Sequence, residues 1–240
     1  MRALVLLFVI SACAGAKNDL RDPKQAFSAL SVYGTAQHVS GDLEGTRADP
    51  ISGMPAPAGV PYTERVYDLG TKLEFFPEET SVLGTGLGMT VAANFGYVTR
   101  VSVQDMPVPG DFLPIRMGMT AGTGLAVLRR PGLMLGLHTS IKLGIEPERL
   151  GDTAEAALVV SAGGRAYIDA GRLRTHLAYD FIPFWGGESR LEHRLSGLFS
   201  TRPDDGWAYG VRAAVAVGQK RLDAGGLNDV SVTLGLEVMR

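Results

Sequence analysis

At 240 residues, with 23 Lys and Arg against 25 Asp and Glu and a formal net charge of −2, the chain is long enough for one or two domains. It has no charge excess that would draw it to nucleic acid. Its single cysteine excludes an intrachain disulfide and zinc sites built from several cysteines. Beyond the N-terminus no apolar run reaches the length of a membrane helix, about 18 residues.

Met1-Arg2 is followed by an apolar run over 3–10 and by Ser11-Ala12-Cys13-Ala14-Gly15-Ala16. A basic start, a short greasy segment and small residues predict a secretory signal over 1–16. Two processing sites are open. Ala14-Gly15-Ala16 suits an ordinary signal peptidase. Ile10-Ser11-Ala12-Cys13 resembles the lipobox of bacterial lipoproteins, which makes Cys13 the candidate for lipidation. Residues 17–25 then read as a polar tether, and 26–240 as the folded body.

The body reads as strands throughout. Residues 26–39 alternate loosely, and 40–63, with Pro50, Pro55, Pro57 and Pro61, read as a long loop in which no strand fits. Over 64–75, Tyr67, Leu69, Leu73 and Phe75 oppose Asp68, Gly70, Lys72 and Glu74. Over 82–100, Leu83, Leu87, Met89, Val91, Phe95 and Tyr97 face away from a row of Gly, Ala, Thr and Asn. Gln104 to Asp111 reads as a loop. Residues 115–128 set Met117, Met119 and Val127 against Arg116, Gly118, Thr120, Gly122 and Gly124. The cleanest stretch is 132–145, where Leu135, Leu137, Ile141 and Leu143 alternate with Gly136, His138, Ser140 and Lys142. Strands over 154–168, 172–185, 191–201, 207–220 and 230–238 complete the series, with loops over 146–153, 186–190 and 221–228.

About ten strands joined as hairpins predict an all-β fold, an up-and-down antiparallel transmembrane β-barrel. One face of each strand is apolar and almost free of charge, as lipid requires; the other is small or polar, as a narrow lumen requires. Aromatics gather toward the strand ends. Tyr62, Tyr67, Phe95, Tyr97, Phe112, Phe181, Phe184 and Trp185 lie at one end, with Phe75, Tyr167, Phe199, Trp207 and Tyr209 at the other. Residues 26–240 thus resemble the small outer-membrane barrels of Gram-negative bacteria. That resemblance implies short periplasmic turns, longer external loops, outer-membrane lipids as partners and the outer membrane as location. The chain ends in Arg240, where many such barrels end in an aromatic.

The predicted lumen carries Lys72, Glu74, Arg116, His138, Lys142, Glu155, Arg165, Arg174, His176, Asp180, Arg194 and Arg212, together with Asp68, Arg172, Glu192, Lys220 and Glu237. Charges of both signs read as an ion-pair network filling a narrow barrel, because buried charges need partners. A polar pore is the alternative. His138, Ser140, His176 and Asp180 share the inner face, so a Ser-His-Asp arrangement is conceivable, but no elbow glycine pattern surrounds Ser140. Ten-strand barrel proteases carry acidic and histidine residues at the outer rim, and no matching motif occurs here. Gly84-x-Gly86-x-Gly88 opens no helix and is not a phosphate loop. His38 and His193 lack metal-ligand spacing, so neither metal nor cofactor is expected.

The expected function is a non-enzymatic, porin-like barrel of the cell envelope, a structural or surface component. It could belong to a machine for export, adhesion or motility, with other envelope proteins as partners and loop 40–63 as the contact. A small solute channel and a lumen or rim hydrolase are the alternatives. Intact-mass spectrometry of the mature protein will show an acylated chain starting at Cys13 if the lipobox is used. An unmodified start at Lys17 removes that expectation.

Overall fold

The computed structural model describes residues 19–22, 26–44, 60–76, 86–103, 106–107, 115–147, 154–183, 190–201, 207–222 and 225–240. The strands are β1 (Phe27–Glu44), β2 (Val60–Phe76), β3 (Gly86–Val103), β4 (Met106–Pro107), β5 (Ile115–Arg130), β6 (Leu133–Pro147), β7 (Ala154–Ala170), β8 (Leu173–Pro183), β9 (Arg190–Thr201), β10 (Ala208–Leu222) and β11 (Gly225–Met239). Ten of them pair with their sequence neighbours, all antiparallel, and β1 pairs with β11 from Ser31↔Met239 to Glu44↔Gly226. The sheet therefore closes on itself as an up-and-down barrel. The short β4 hangs on the end of β3.

The two-residue alternation sets the faces. Leu137, Ile141 and Leu143 are exposed on the outer surface, while Met134 and His138 are buried within. The same division holds for Leu69 outside against Glu74 inside, and for Leu236 outside against Glu237 inside. Exposed leucines in such numbers would be untenable in water. They form the lipid-facing belt. Tyr67 and Tyr97, opposite each other on β2 and β3, mark its upper edge. Above them the outward positions turn polar at His38, Arg65 and Thr99. At the lower edge stand Phe199, Trp207 and Tyr209, all exposed, with the Arg240 guanidinium 5.8 Å from the Trp207 ring centre.

The barrel wall is uneven. β1, β2, β3 and β7 have 18, 17, 18 and 17 residues, whereas β8 and β9 have 11 and 12 among the described residues. At about 3.3 Å per residue and a tilt of about 40°, the long strands rise roughly 43 Å and the short ones roughly 30 Å. An apolar band of about 25 Å accounts for the short strands alone. The extra length of β1, β2 and β3 lies at the loop end, where their outward positions are the polar His38, Arg65 and Thr99.

Several sequence expectations change. β1 runs through Glu44 and β2 starts at Val60, so strand occupies both ends of the expected loop 40–63; residues 45–59 lie outside the described part. Pro61 is tolerated because it sits at the start of its strand. β11 begins at Gly225 rather than 230, and β10 continues to Leu222. β6 reaches Pro147, and β4 forms within the expected loop 104–111. Tyr62 and Tyr167, expected in the aromatic girdles, point inward and are buried. Arg172, expected in the lumen, is exposed in the turn before β8. The signal, Cys13 and most of the tether lie outside the described residues.

The turn-side mouth is closed by the chain itself. β5 and β6 are joined through Pro131 and Gly132, where Gly132 has φ 75°, the left-handed value that suits glycine after a proline. The Gly132 amide donates to the Leu20 carbonyl at 2.9 Å. Leu20 is buried against Phe27, Ala29, Phe76, Ala126, Met134 and Tyr167. Part of the expected polar tether, at Leu20, is thus docked against the barrel. On its solvent side Arg21 donates to Asp19 at 2.6–2.9 Å and holds that carboxyl below its usual range.

Placing a charge on the belt will be far more damaging than a change inside. Ile141→Arg is expected to destabilise the barrel by about 2–4 kcal/mol, and Ser140→Ala by about 1 kcal/mol. Urea titration of folding into lipid vesicles checks this. Equal effects would refute the assignment of faces.

Candidate functional site

The inner wall is built from rows in which polar side chains lie over glycines. Adjacent strands are only about 4.8 Å apart, so two long inward side chains on neighbouring strands crowd each other unless the intervening position is small. In one row the register runs Asp68 (β2), Gly96 (β3), Arg116 (β5). An added Cβ at Gly96 would overlap the Asp68 carboxylate and stand 2.8 Å from Arg116 Cγ. Across the bare glycine, Arg116 Nε donates to Asp68 Oδ1 at 2.8 Å, and its Nη2 bonds Oδ2. A second row runs His138 (β6), Gly163 (β7), Asp180 (β8). Here His138 Nε2 and Asp180 Oδ1 are 2.5 Å apart, although β7 separates their strands. A Cβ on Gly163 would overlap the Tyr179 carbonyl oxygen.

The turn-side third of the lumen is a charge knot under an apolar lid. Glu74, with 1% of its surface exposed, accepts from Tyr167 Oη at 2.6 Å and lies 3.0 Å from Lys72 Nζ; Arg165 bonds its other oxygen. His176 stacks on Tyr167 with ring centres 4.0 Å apart. Arg174 binds Asp169 through Nε at 2.6 Å and Nη2 at 3.0 Å, and its guanidinium lies 5.6 Å from the Phe27 ring centre. The layer of Leu20, Phe27, Phe76 and Met134 closes the mouth beneath. Burying an ion pair costs its hydration, so each group here needs several partners, and Glu74 has three.

The middle of the lumen holds Arg212 against Glu237 at 2.8 Å, with the Arg212 guanidinium 4.6 Å from the Tyr33 ring centre. Arg194 meets Glu192 at 2.6 Å. Among these side chains lies a cavity of about 300 Å³ bordered by Asn94, Thr120, Lys142 and Thr233 as well. Toward the loop side, Val39, Tyr62, Val66 and Val98 are buried and inward, with Tyr62 Oη donating to Glu64 at 2.5 Å.

Of the lumen residues named from the sequence, Lys72, Glu74, Arg165 and His176 come together in the knot, with Arg174 beside it. Arg116, Lys142, Asp180, Arg194 and Arg212 border the cavity, and His138 sits on Asp180. Glu155 lies on β7 opposite Glu146, and its side chain, like that of Lys220, lies outside the described residues. The Ser-His-Asp arrangement does not assemble. Ser140 Oγ bonds Ser161 Oγ at 2.7 Å, His176 is held against Tyr167, and His138 Nδ1 has no hydrogen-bond partner among the described residues. The same residues contain no cluster of three or more metal-binding side chains. Sequence reading missed Tyr167, Phe27 and Leu20. Parity was the available signal for Tyr167, which lies two residues from Arg165 and so shares its face.

Removing one partner from the knot will leave buried cations uncompensated. Glu74→Ala is expected to lower stability by about 3–5 kcal/mol, whereas Tyr167→Phe, which deletes one hydrogen bond, should cost about 1 kcal/mol. Equilibrium unfolding from vesicles measures both, and a mild effect of Glu74→Ala would refute the knot.

No protein family matches the sequence, and no curated protein is significantly similar to it. Among solved structures, the barrel is similar to the outer membrane protease OmpT from Escherichia coli. The TM-score is 0.50 at 6% sequence identity, over 90% of this chain and 96% of that one. At such identity the likeness is one of fold: the chain is an outer-membrane-type barrel of ten strands.

Proposed function

We propose that this protein is a closed, non-enzymatic barrel of a bacterial outer membrane, serving as wall and anchor for what its loop side presents. The observation that carries this reading is the filled turn-side mouth. The buried Glu74 knot, the Phe27–Phe76–Met134 layer and the Leu20 strap lie across the path a solute would take. Its partners are outer-membrane lipids around the belt and other envelope proteins at the loop side. The long strands β1–β3, polar outside at their loop ends, offer a rigid base for such contacts. A hydrolytic role finds no support in the lumen, since the Ser140 hydroxyl is bonded to Ser161 rather than to a histidine.

Reconstituted in planar bilayers, the protein is expected to show no unitary conductance steps under conditions where a porin inserted in parallel conducts. Regular, reproducible steps from the wild-type protein would overturn the closed-barrel reading in favour of a solute channel.

A further inference from the structure

The central cavity is unusual in what faces it. Four cationic side chains, Arg116, Lys142, Arg194 and Arg212, border it, against two carboxylates, Asp68 and Asp180. The counter-charges of Arg194 and Arg212 are Glu192 and Glu237, each 1% exposed and absent from the cavity lining. Those carboxylates hold the arginines from behind. The cavity therefore has a positive lining although the surrounding lumen is close to charge balance. Between the cations stand hydroxyl donors on Thr35, Thr120, Ser196 and Thr233.

From this we infer that the chamber is a binding site for one small oxyanion of the phosphate type. A volume of about 300 Å³ leaves room for such an ion with several waters. The Nε and Nη2 groups of Arg116 and Arg212 already hold Asp68 and Glu237, so these arginines offer an oxyanion the remaining N–H groups of their planar guanidinium, and Lys142 adds a point charge at the cavity wall. Charges converging on a cavity with low-dielectric walls reinforce one another there far more than in water. Because the chamber is walled by the strands on all sides, its ligand is a free anion and not a lipid headgroup. The bound anion would offset the positive lining of the chamber, which gives the chamber a role even in a barrel that conducts nothing.

Inorganic phosphate is the probe. The full-length protein, folded in detergent micelles, is titrated with phosphate by calorimetry, and its thermal midpoint is followed in phosphate and in sodium chloride at matched ionic strength. Phosphate is expected to give a saturable heat and a saturable rise in midpoint, with chloride giving neither. Lys142→Gln should raise the half-saturating concentration at least tenfold, and Lys142→Arg should keep it within a few-fold of wild type. Leu195→Ala, on the lipid face, should leave it unchanged. Absence of a saturable heat in the wild-type protein, or equal responses to phosphate and chloride, overturns the proposal whatever the variants do. An undiminished response in Lys142→Gln would overturn this placement of the ion.

Discussion

The pairing of β1 with β11 is the interaction on which the rest of the molecule depends. In hydrocarbon no water satisfies the backbone N–H and C=O groups of an unpaired edge, so an open sheet cannot exist there. The pairing runs over the length of β1 from Ser31 onward, and Leu30 and Arg240 exchange a further pair of backbone bonds at 2.8 and 2.9 Å. Once the sheet is closed, every inward side chain is confined to a narrow tube and the outward ones of the belt to lipid. The division of faces, the burial of charge and the shortage of space inside all follow from that closure.

Confinement explains why the lumen is both glycine-rich and charged. A narrow tube leaves little volume per inward residue. Arg116 and Asp68 reach each other only because Gly96 lies between them, and His138 meets Asp180 only across Gly163. The glycines supply the space that the charged side chains occupy. The charged side chains in turn fill what would otherwise be a continuous channel. At the turn side the same economy produces the Glu74 knot, where one carboxylate serves Lys72, Arg165 and Tyr167 together.

The two ends of the barrel are built differently. The turn side is sealed by apolar side chains from several strands and by a strap that precedes the first strand. The strands differ in length among the described residues, with β1, β2, β3 and β7 long and β8 and β9 shorter.

The alternation of residues such as Leu135, Leu137, Ile141 and Leu143 with Gly136, His138, Ser140 and Lys142 was enough to establish strands with two unlike faces, because side chains alternate along any strand; it took the near absence of charge on one face and the small or polar residues on the other to say which meets lipid. Parity alone likewise put Lys72, Glu74, Arg116 and Arg212 inside. Partnership was not legible, since it depends on register and on closure. Nothing local in the sequence tells that Glu74 meets Arg165, 91 residues away, or that His138 meets Asp180 across an intervening strand. Nor does composition reveal that Leu20, in a polar stretch, turns back under the barrel to reach the Gly132 amide. Those contacts exist only once the strands have closed, when residues far apart in the chain share one narrow lumen and must satisfy one another's charge and volume there.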